Sequence, residues 1–446
     1  MDFNKLKKEA LASGIKEIEV YQVKGDGAFV STFNTEVDDN SCYFTDELYI
    51  RGVYNNHITS LYLEHDDDSE IESVINTLKS NASVTESNDP YFIYEGDKNY
   101  PVIPDNKNDS YEFSQADRIK ICQDIEAFLK SKSSYITNTE ASIETEAKTI
   151  SIQNTSGLNV SRKSSDLTLY VSTVVTKDND VKNGHYFEHL NSLKDIDYNL
   201  IYERALKRPL DSIGAKSIKS GHYPVVFENN AFASLVSCFW SMFSGDEVVK
   251  KLSLLDGKLG QKVFGDNMVI EDLPLCETSF NKFTFDDEGV SAKNTTVVEN
   301  GVLKSYLHNL STAKMLNTTS TGNGFKTGSG NVSVAPTNLC IKCSDTSFDD
   351  MIKDIKEGVF ITSMMGQHAG VNPVSGAFNL QSSGFMIEDG KITKPVTLII
   401  VSGNIVDVLN NVNCISSDFK NFGRIGTGSA FINSLAISCL LYTSDA

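Results

Sequence analysis

The residues best suited by type and spacing to metal chemistry lie at His185-Tyr186-Phe187-Glu188-His189. Two histidines four apart, with a glutamate beside the second, match the inverted zinc-protease pattern H-x-x-E-H. On a helix His185 and His189 would share a face, with Glu188 near enough to act as a base. The setting favours a strand instead. The stretch continues a strand-rich region, and only six residues follow the turn signal Lys182-Asn183-Gly184 before polar turn residues return. In a strand the two histidines lie about 13 Å apart on one face with Phe187, too far to share an ion, and Glu188 points away. No acidic third ligand on a later helix can be picked out. The match is expected to be coincidental.

Other motifs are weaker. Cys340 and Cys343 have redox or zinc spacing, but they form a single pair on an alternating strand, where residues three apart face opposite sides. Buried structural thiols are expected there. The run 423–428, Gly-Arg-Ile-Gly-Thr-Gly, lacks the lysine and hydroxyl of a P-loop and is expected to be a turn. There is no G-x-S-x-G elbow.

The elements that must position such residues belong to a chain of 446 residues, long enough for two or three domains. A formal charge of −19 argues against direct contact with nucleic acid or an anionic membrane surface. The N-terminal stretch lacks an apolar signal core, and apolar runs such as 396–401 are strand length. Eight scattered cysteines lack the spacing of a secreted disulfide scaffold, so a cytoplasmic protein with reduced thiols is expected. Residues 439–446 resemble a translated sequencing adapter, and the natural chain is expected to end shortly after Ser438.

Periodicity predicts a helix with Phe3, Leu6 and Ala10 on one side, strands at 17–23, 27–33 and 47–54, and a hairpin return over 55–63. A helix follows over 66–82, with Ile71, Val74, Ile75 and Leu78 inward. The proline-containing stretch 86–110 reads as a linker. Ser114 should cap a helix over 114–132, followed by a hairpin at 143–157 and a strand at 166–176. Residues 197–215 are expected to be helical, with an interruption near Pro209. After a strand at 221–227, one long amphipathic helix is predicted, capped by Asn229 or Asn230 and ended by Gly245. Strand-rich sequence with glycine-rich connections follows, interrupted by a helix over 347–358. The expected class is α+β: mixed helix and antiparallel-sheet units at 1–100 and 110–217, then a strand-rich domain at 219–438.

Several stretches together resemble the TldD/PmbA family. They are 285–324, with Asp287-Glu288-Gly289, the strand pair over 299–309 and the 311–324 segment, and 357–396 with its glycine-rich centre. The strand 223–227 with the following helix, and 258–263, also fit, and the resemblance covers nearly the whole chain. It implies two branches. TldD-type subunits bind zinc through His-Glu-x-x-x-His on the helix after that strand, plus a late cysteine; PmbA subunits, also called TldE, keep the fold without the motif. None of the seven histidines here is followed by glutamate, and the helix carries none. Cys414 lies roughly where the late cysteine would fall. Without imidazole partners one thiolate cannot complete a four-coordinate zinc site.

The resemblance thus implies the PmbA/TldE branch: no catalytic residue or metal ligand in this chain, zinc in a TldD-like partner, and peptides, unfolded segments or leader sequences as substrates. This chain would complete the cavity and hold the peptide along a strand edge, with His368, Asn372 and Ser375 as candidate contacts against a plain loop role. A homodimeric peptide-binding or regulatory module without peptidase activity is the alternative. An older family name refers to modulation of DNA gyrase; the acidic balance makes any such link indirect.

Overall fold

The computed structural model describes residues 1–84, 93–103, 109, 112–327 and 330–440. Of the expected linker, 86–92, 104–108 and 110 lie outside the described residues, as do 441–446 of the expected adapter tail; Cys439 ends a strand. The architecture is α+β, in two compact units. The first holds Met1–Ile213 together with Thr284–Ser291 and Lys326–Val332; the second holds the remainder. No described helix is long and apolar enough to cross a membrane.

The first unit is built on one antiparallel sheet. Its strands are β1 (Glu17–Phe33), β2 (Glu36–Tyr54), β3 (His57–Leu63), β4 (Ile136–Asn154), β5 (Asn159–Lys177) and β6 (Asp180–His189), in the order β3-β2-β1-β4-β5-β6. Helices Phe3–Ala12 and Ile71–Val84 bury Leu6, Ala10, Ile71, Val74 and Leu78 against Ile18, Leu48 and Ile50. Helix Gln115–Lys132 starts on a reciprocal Ser114–Asp117 capping box and packs Ile125 and Leu129 against Val30, Ile143 and Leu169. Its buried Glu126 accepts hydrogen bonds from the Thr32 and Thr139 hydroxyls and from the Thr35 amide at 2.7 Å.

The strands run longer than their alternation predicts. The expected break at 24–26, between the strands predicted at 17–23 and 27–33, is continuous strand. A Cβ on Gly25 would stand 2.5 Å from the Ala147 carbonyl oxygen, and one on Gly27 would stand 2.2 Å from the Tyr43 ring, so these glycines allow close approach rather than a turn. Two-residue turns sit instead at Asn34-Thr35, Asn55-Asn56 and Asp178-Asn179, all with positive φ. The expected turn at 182–184 is likewise strand, with Gly184 seated against the Ala205 carbonyl. Helical structure over 198–211 widens to a π-helix at Tyr202–Lys207, one turn before Pro209. Proline has no amide proton to give Ala205, and the Thr173 hydroxyl donates to that carbonyl instead.

In the second unit, strand Gly221–Phe227 lies between Glu357–Met365, which runs parallel to it, and Ala430–Cys439, which runs antiparallel. Lys391–Asn404 pairs with Ala430–Cys439 and with Ala377–Glu388, and the latter pairs back onto Glu357–Met365. The strands therefore close into a five-membered ring, leaving few open edges. A second sheet has the order 302–303, 295–299, 270–272, 339–341, 425–427, 420–422. The long helix expected from 229 ends at Ser237; a 3-10 turn follows at Trp240–Phe243, and Gly245 opens a separate helix to Val249. Phe239, Met242 and Phe243, on and beside this tighter turn, all lie in the core. The 347–358 helix is also shorter, Phe348–Ile352, and Gly358 lies in a strand.

His308 is buried in this unit. Its backbone carbonyl accepts from Ser320 Oγ and the Thr321 amide, and its ring Nδ1 lies 3.3 Å from Thr312 Oγ1. Burial pulls its pKa from 6.5 to about 4. An unfolded chain takes up this proton near pH 6.5 and the folded one only near pH 4, so stability should fall as pH drops through that window. The expected loss is about 2–3 kcal/mol. Denaturant titrations of wild type and His308→Gln from pH 7 to pH 4 check this: the wild-type acid limb should be steeper.

Candidate functional site

Helix Asn229–Ser237 is the element on which the family resemblance would put zinc ligands. Strand Gly221–Phe227 delivers the chain there, and buried Glu228 is fixed by its amide donating to Ile361 O at 2.9 Å. The Asn229 amide donates to Ser429 Oγ at 3.1 Å, and its Nδ2 donates to Asp418 O at 2.9 Å. The Asp418 carboxylate closes the network. Oδ1 accepts from the Ser429 amide at 2.7 Å and from the Ser416 hydroxyl, and Oδ2 accepts from Ser429 Oγ at 2.7 Å. Gly428 makes the approach possible, since a Cβ there would meet Ser416 O at 2.1 Å.

This donor set does not fit zinc. It offers hydroxyls, an amide, the buried Glu228 and an Asp418 carboxylate that accepts three hydrogen bonds, with no imidazole. The Cys343 thiol beside Gly428 is pushed up by burial and stays protonated. Cys238, at the far end of the helix, donates to Ser234 O at 3.3 Å. The Cys414 thiol lies 3.3 Å from Ser344 Oγ, in a cleft of about 1090 Å³ that also takes in Lys342, Cys343 and Asp354. Among the described residues, no group of three or more His, Cys, Asp or Glu is placed to hold a metal ion.

The 185–189 segment is the end of β6, paired to β5 with His185 opposite Ser172 and His189 opposite Thr168. His185 and Phe187 are exposed, whereas Tyr186 is buried and donates to Glu188 at 3.3 Å. His189 packs edge-on to Phe187 and lies 3.5 Å from Asp166 Oδ1. The two histidines and the glutamate are thus not brought together.

His368, Asn372 and Ser375 lie on one exposed connection in the second unit. Gln367 Nε2 donates to Ser234 Oγ at 3.3 Å, which sets this connection beside the Asn229–Ser237 helix. Asn372 Oδ1 accepts from the Val374 and Ser375 amides at 3.0 Å each, and Ser375 O accepts from Asn404. These two residues shape the turn; His368 is exposed on a short helix before it.

Motif reading missed a buried polar cluster in the first unit, although the Asp287-Glu288-Gly289 run marks its location. Asp286 Oδ1 accepts from the Glu288 and Val290 amides, folding a tight turn. Asp287 Oδ1 then accepts from Tyr21 OH at 2.9 Å and Arg162 at 3.1 Å, and Oδ2 accepts from the Lys326 amide at 3.0 Å. Gly289 has φ +84°, and a Cβ there would stand 2.4 Å from Leu158. The signature is a clasp on the sheet, not a set of ligands.

Beside it, Lys326 Nζ is shielded from solvent, lies 4.9 Å from the Tyr21 ring centroid and finds no hydrogen-bond partner among the described residues. Burial, reinforced by Arg51, lowers its pKa from 10.5 to about 8. The buried cation opposes folding below pH 8, and that cost fades as pH rises toward 10.5. Lys326→Met should therefore raise stability at pH 7 by about 1–3 kcal/mol. Thermal melts at pH 7 and pH 10 check this, and the gain should shrink at the higher pH.

Comparison with known proteins agrees with this architecture. Residues 108–213 match the PmbA/TldA metallopeptidase central domain, and residues 220–439 match the PmbA/TldA metallopeptidase C-terminal domain. The chain is 27% identical over 330 residues to the Metalloprotease PmbA homolog of Buchnera aphidicola, covering 74% of this chain and 71% of the relative. It is 30% identical over 237 residues to the Metalloprotease PmbA homolog of Haemophilus influenzae, covering 53% of this chain and half of that protein. Among solved structures, a Thermotoga maritima protein described as a modulator of a DNA gyrase superposes with TM-score 0.89 at 27% identity, over 98% of this chain and all of that one. TldE from Thermococcus kodakarensis shares the fold with TM-score 0.86 at 22% identity, over 97% of this chain and all of that one. With its central and C-terminal regions both matched, the chain belongs to the PmbA/TldD metallopeptidase family, on the PmbA/TldE branch.

Proposed function

We propose that this chain is the non-zinc subunit of a TldD/TldE-type peptidase, pairing in the cytoplasm with a TldD-like subunit whose zinc performs hydrolysis. The observation that carries this reading is helix Asn229–Ser237, which presents no imidazole and no carboxylate and whose first residue is tied to Asp418 and Ser429 by hydrogen bonds. Such a helix offers a hydrolytic metal no imidazole ligand. This chain's part is to complete the cavity and hold an extended substrate, an unfolded segment or a leader peptide. Among the described residues, strand Val371–Asn372 pairs on one side only, with Phe378 and Ala377, which leaves its outer edge for a peptide backbone. His368, Asn372 and Ser375 are its proposed contacts, His368 exposed on the preceding short helix and Asn372 Oδ1 accepting from the Ser375 amide in the turn.

The test is co-expression with a homologue that carries His-Glu-x-x-x-His, followed by size analysis, zinc determination and cleavage of an unstructured peptide. A heterodimer with one zinc, active only when both chains are present, is the expected result. Stoichiometric zinc and turnover in this chain alone, lost on His185→Ala, would overturn the proposal. A stable homodimer that ignores the zinc-bearing homologue and binds peptide without cleaving it would replace it with a binding module.

A further inference from the structure

The Cys340-Ile341-Lys342-Cys343 segment splits between two different thiol neighbourhoods. Cys343 shares the cleft described above with Cys414. Cys340, on strand Leu339–Ile341 and 6% exposed, instead meets the thiol of Cys276. Cys276 sits on an ordered loop. Its amide donates to Leu273 O at 3.0 Å, its carbonyl accepts from the Ser279 amide at 3.1 Å, and Asn338 Nδ2 ties Leu273 O and Asn281 O to the strand.

One carboxamide spans both sulfurs. Asn421 Nδ2 lies 3.7 Å from Cys276 Sγ, and Asn421 Oδ1 lies 4.0 Å from Cys340 Sγ. Thr278 Oγ1 is 3.4 Å from Cys276 Sγ and accepts from Asn421 Nδ2 at 2.8 Å. Gly426 leaves room for this arrangement: a Cβ there would stand 2.6 Å from Asn421 Oδ1 and 3.1 Å from Cys340 Sγ. The two thiols are chemically unequal. Burial raises the Cys276 pKa, but hydrogen bonds from Thr278, Asn421 and Cys340 outweigh it and leave the thiol below its ordinary value. Burial and the neighbouring Cys276 push Cys340 well up. Cys276 is half-buried and reachable; Cys340 is not. A half-buried thiol with its pKa drawn down, beside a buried partner thiol with its pKa pushed up and a carboxamide touching both sulfurs, is the arrangement of a peroxide-reactive pair.

We propose that Cys276 and Cys340 form a peroxide-responsive pair that closes to an intramolecular disulfide, stapling the 273–283 loop to strand Leu339–Ile341. The Cys276 thiolate attacks one oxygen of a hydroperoxide, the O–O bond breaks, and hydroxide or alkoxide leaves and takes a proton. Cys340 then attacks the sulfenic sulfur; its proton departs with the sulfenic oxygen as water. Overall two thiols and one hydrogen peroxide give one disulfide and two waters. Cys340 pairs with Gly426, and the same strand leads to Ser429, which holds Asn229, so the staple bears on the helix start. The inference is independent of any peptidase partner.

The full chain, reduced and folded, is exposed to hydrogen peroxide, its remaining thiols are alkylated, and the digest is mapped by mass spectrometry. The expected product is a Cys276–Cys340 linked peptide lighter by two hydrogens, severalfold more abundant than oxidation at exposed Cys42, with Cys343 and Cys414 alkylated. Cys340→Ser should leave Cys276 as a sulfenic acid trappable by dimedone, and Cys276→Ser should leave Cys340 a thiol. A dominant Cys340–Cys343 or Cys343–Cys414 link, or oxidation at Cys42 while Cys276 stays alkylated, would overturn the proposal. Because the first mapping uses wild-type protein, a variant that fails to fold does not obscure the answer.

Discussion

Asp272→Ala is expected to destabilise the second unit by roughly 3–5 kcal/mol, the largest effect of any single polar substitution considered for this chain. The carboxylate is 1% exposed. Its Oδ1 accepts from the Thr337 amide at 2.9 Å, and its Oδ2 accepts from Thr337 Oγ1 and Asn323 Nδ2, each at 2.8 Å. Alanine would strand three buried donors in a site too tight for easy solvation. Burial raises the Asp272 pKa, and the three donors pull it back only in part. Asp272→Asn separates charge from acceptor capacity: an asparagine amide would face donors, so it should cost nearly as much as alanine. Denaturant midpoints for both variants decide this, and a near-neutral Asn variant would show that one acceptor oxygen suffices and that the negative charge contributes little.

A second large effect is expected at Asp418→Ala, which should cost about 2–4 kcal/mol and loosen the start of helix Asn229–Ser237 first. Asp418 itself is exposed, but Ser416 and Ser429, which it holds, are 0% and 1% exposed. Losing it frees the Ser429 hydroxyl to turn, and the Asn229 amide then loses its acceptor. Hydrogen exchange should find the amides of Asn229 and Ser429 deprotected well beyond the global change in stability. Uniform deprotection would mean that the network is ordinary packing. If the proposed pairing holds, the same variant should also weaken assembly with the zinc-bearing homologue.

The legibility of this fold in its sequence was uneven for identifiable reasons. Amphipathic helices with caps were plain: Ser114, and the Ile71, Val74, Ile75 and Leu78 face, lie where spacing puts them. Strand lengths were not, because the 24–26 stretch reads locally as a break, whereas Gly25 serves a close contact with Ala147, over a hundred residues away. The helix after Asn229 was overestimated, since periodicity records an apolar stripe but not the tighter turn at Trp240–Phe243. At the candidate site, the missing imidazoles could be read directly, whereas Asp418 and Ser429 could not. They reach Asn229 from about two hundred residues downstream, and no local pattern marks the pairing. The Cys340 and Cys343 spacing carried half a message: residues three apart on a strand diverge, but their actual neighbours, Cys276 and Cys414, depend on the fold.

The Asp287 clasp bears on how this polypeptide matures on the ribosome. Tyr21 and Arg162 emerge early, yet the carboxylate that satisfies them is made more than a hundred residues after Arg162, and the Lys326 amide that completes it comes later still. On the nascent chain the amino-terminal sheet therefore lacks the Asp287 acceptor and the Lys326 amide until those residues have left the exit tunnel. A stop codon placed at the apparent boundary near residue 213 would release an incompletely neutralised fragment rather than a self-sufficient half.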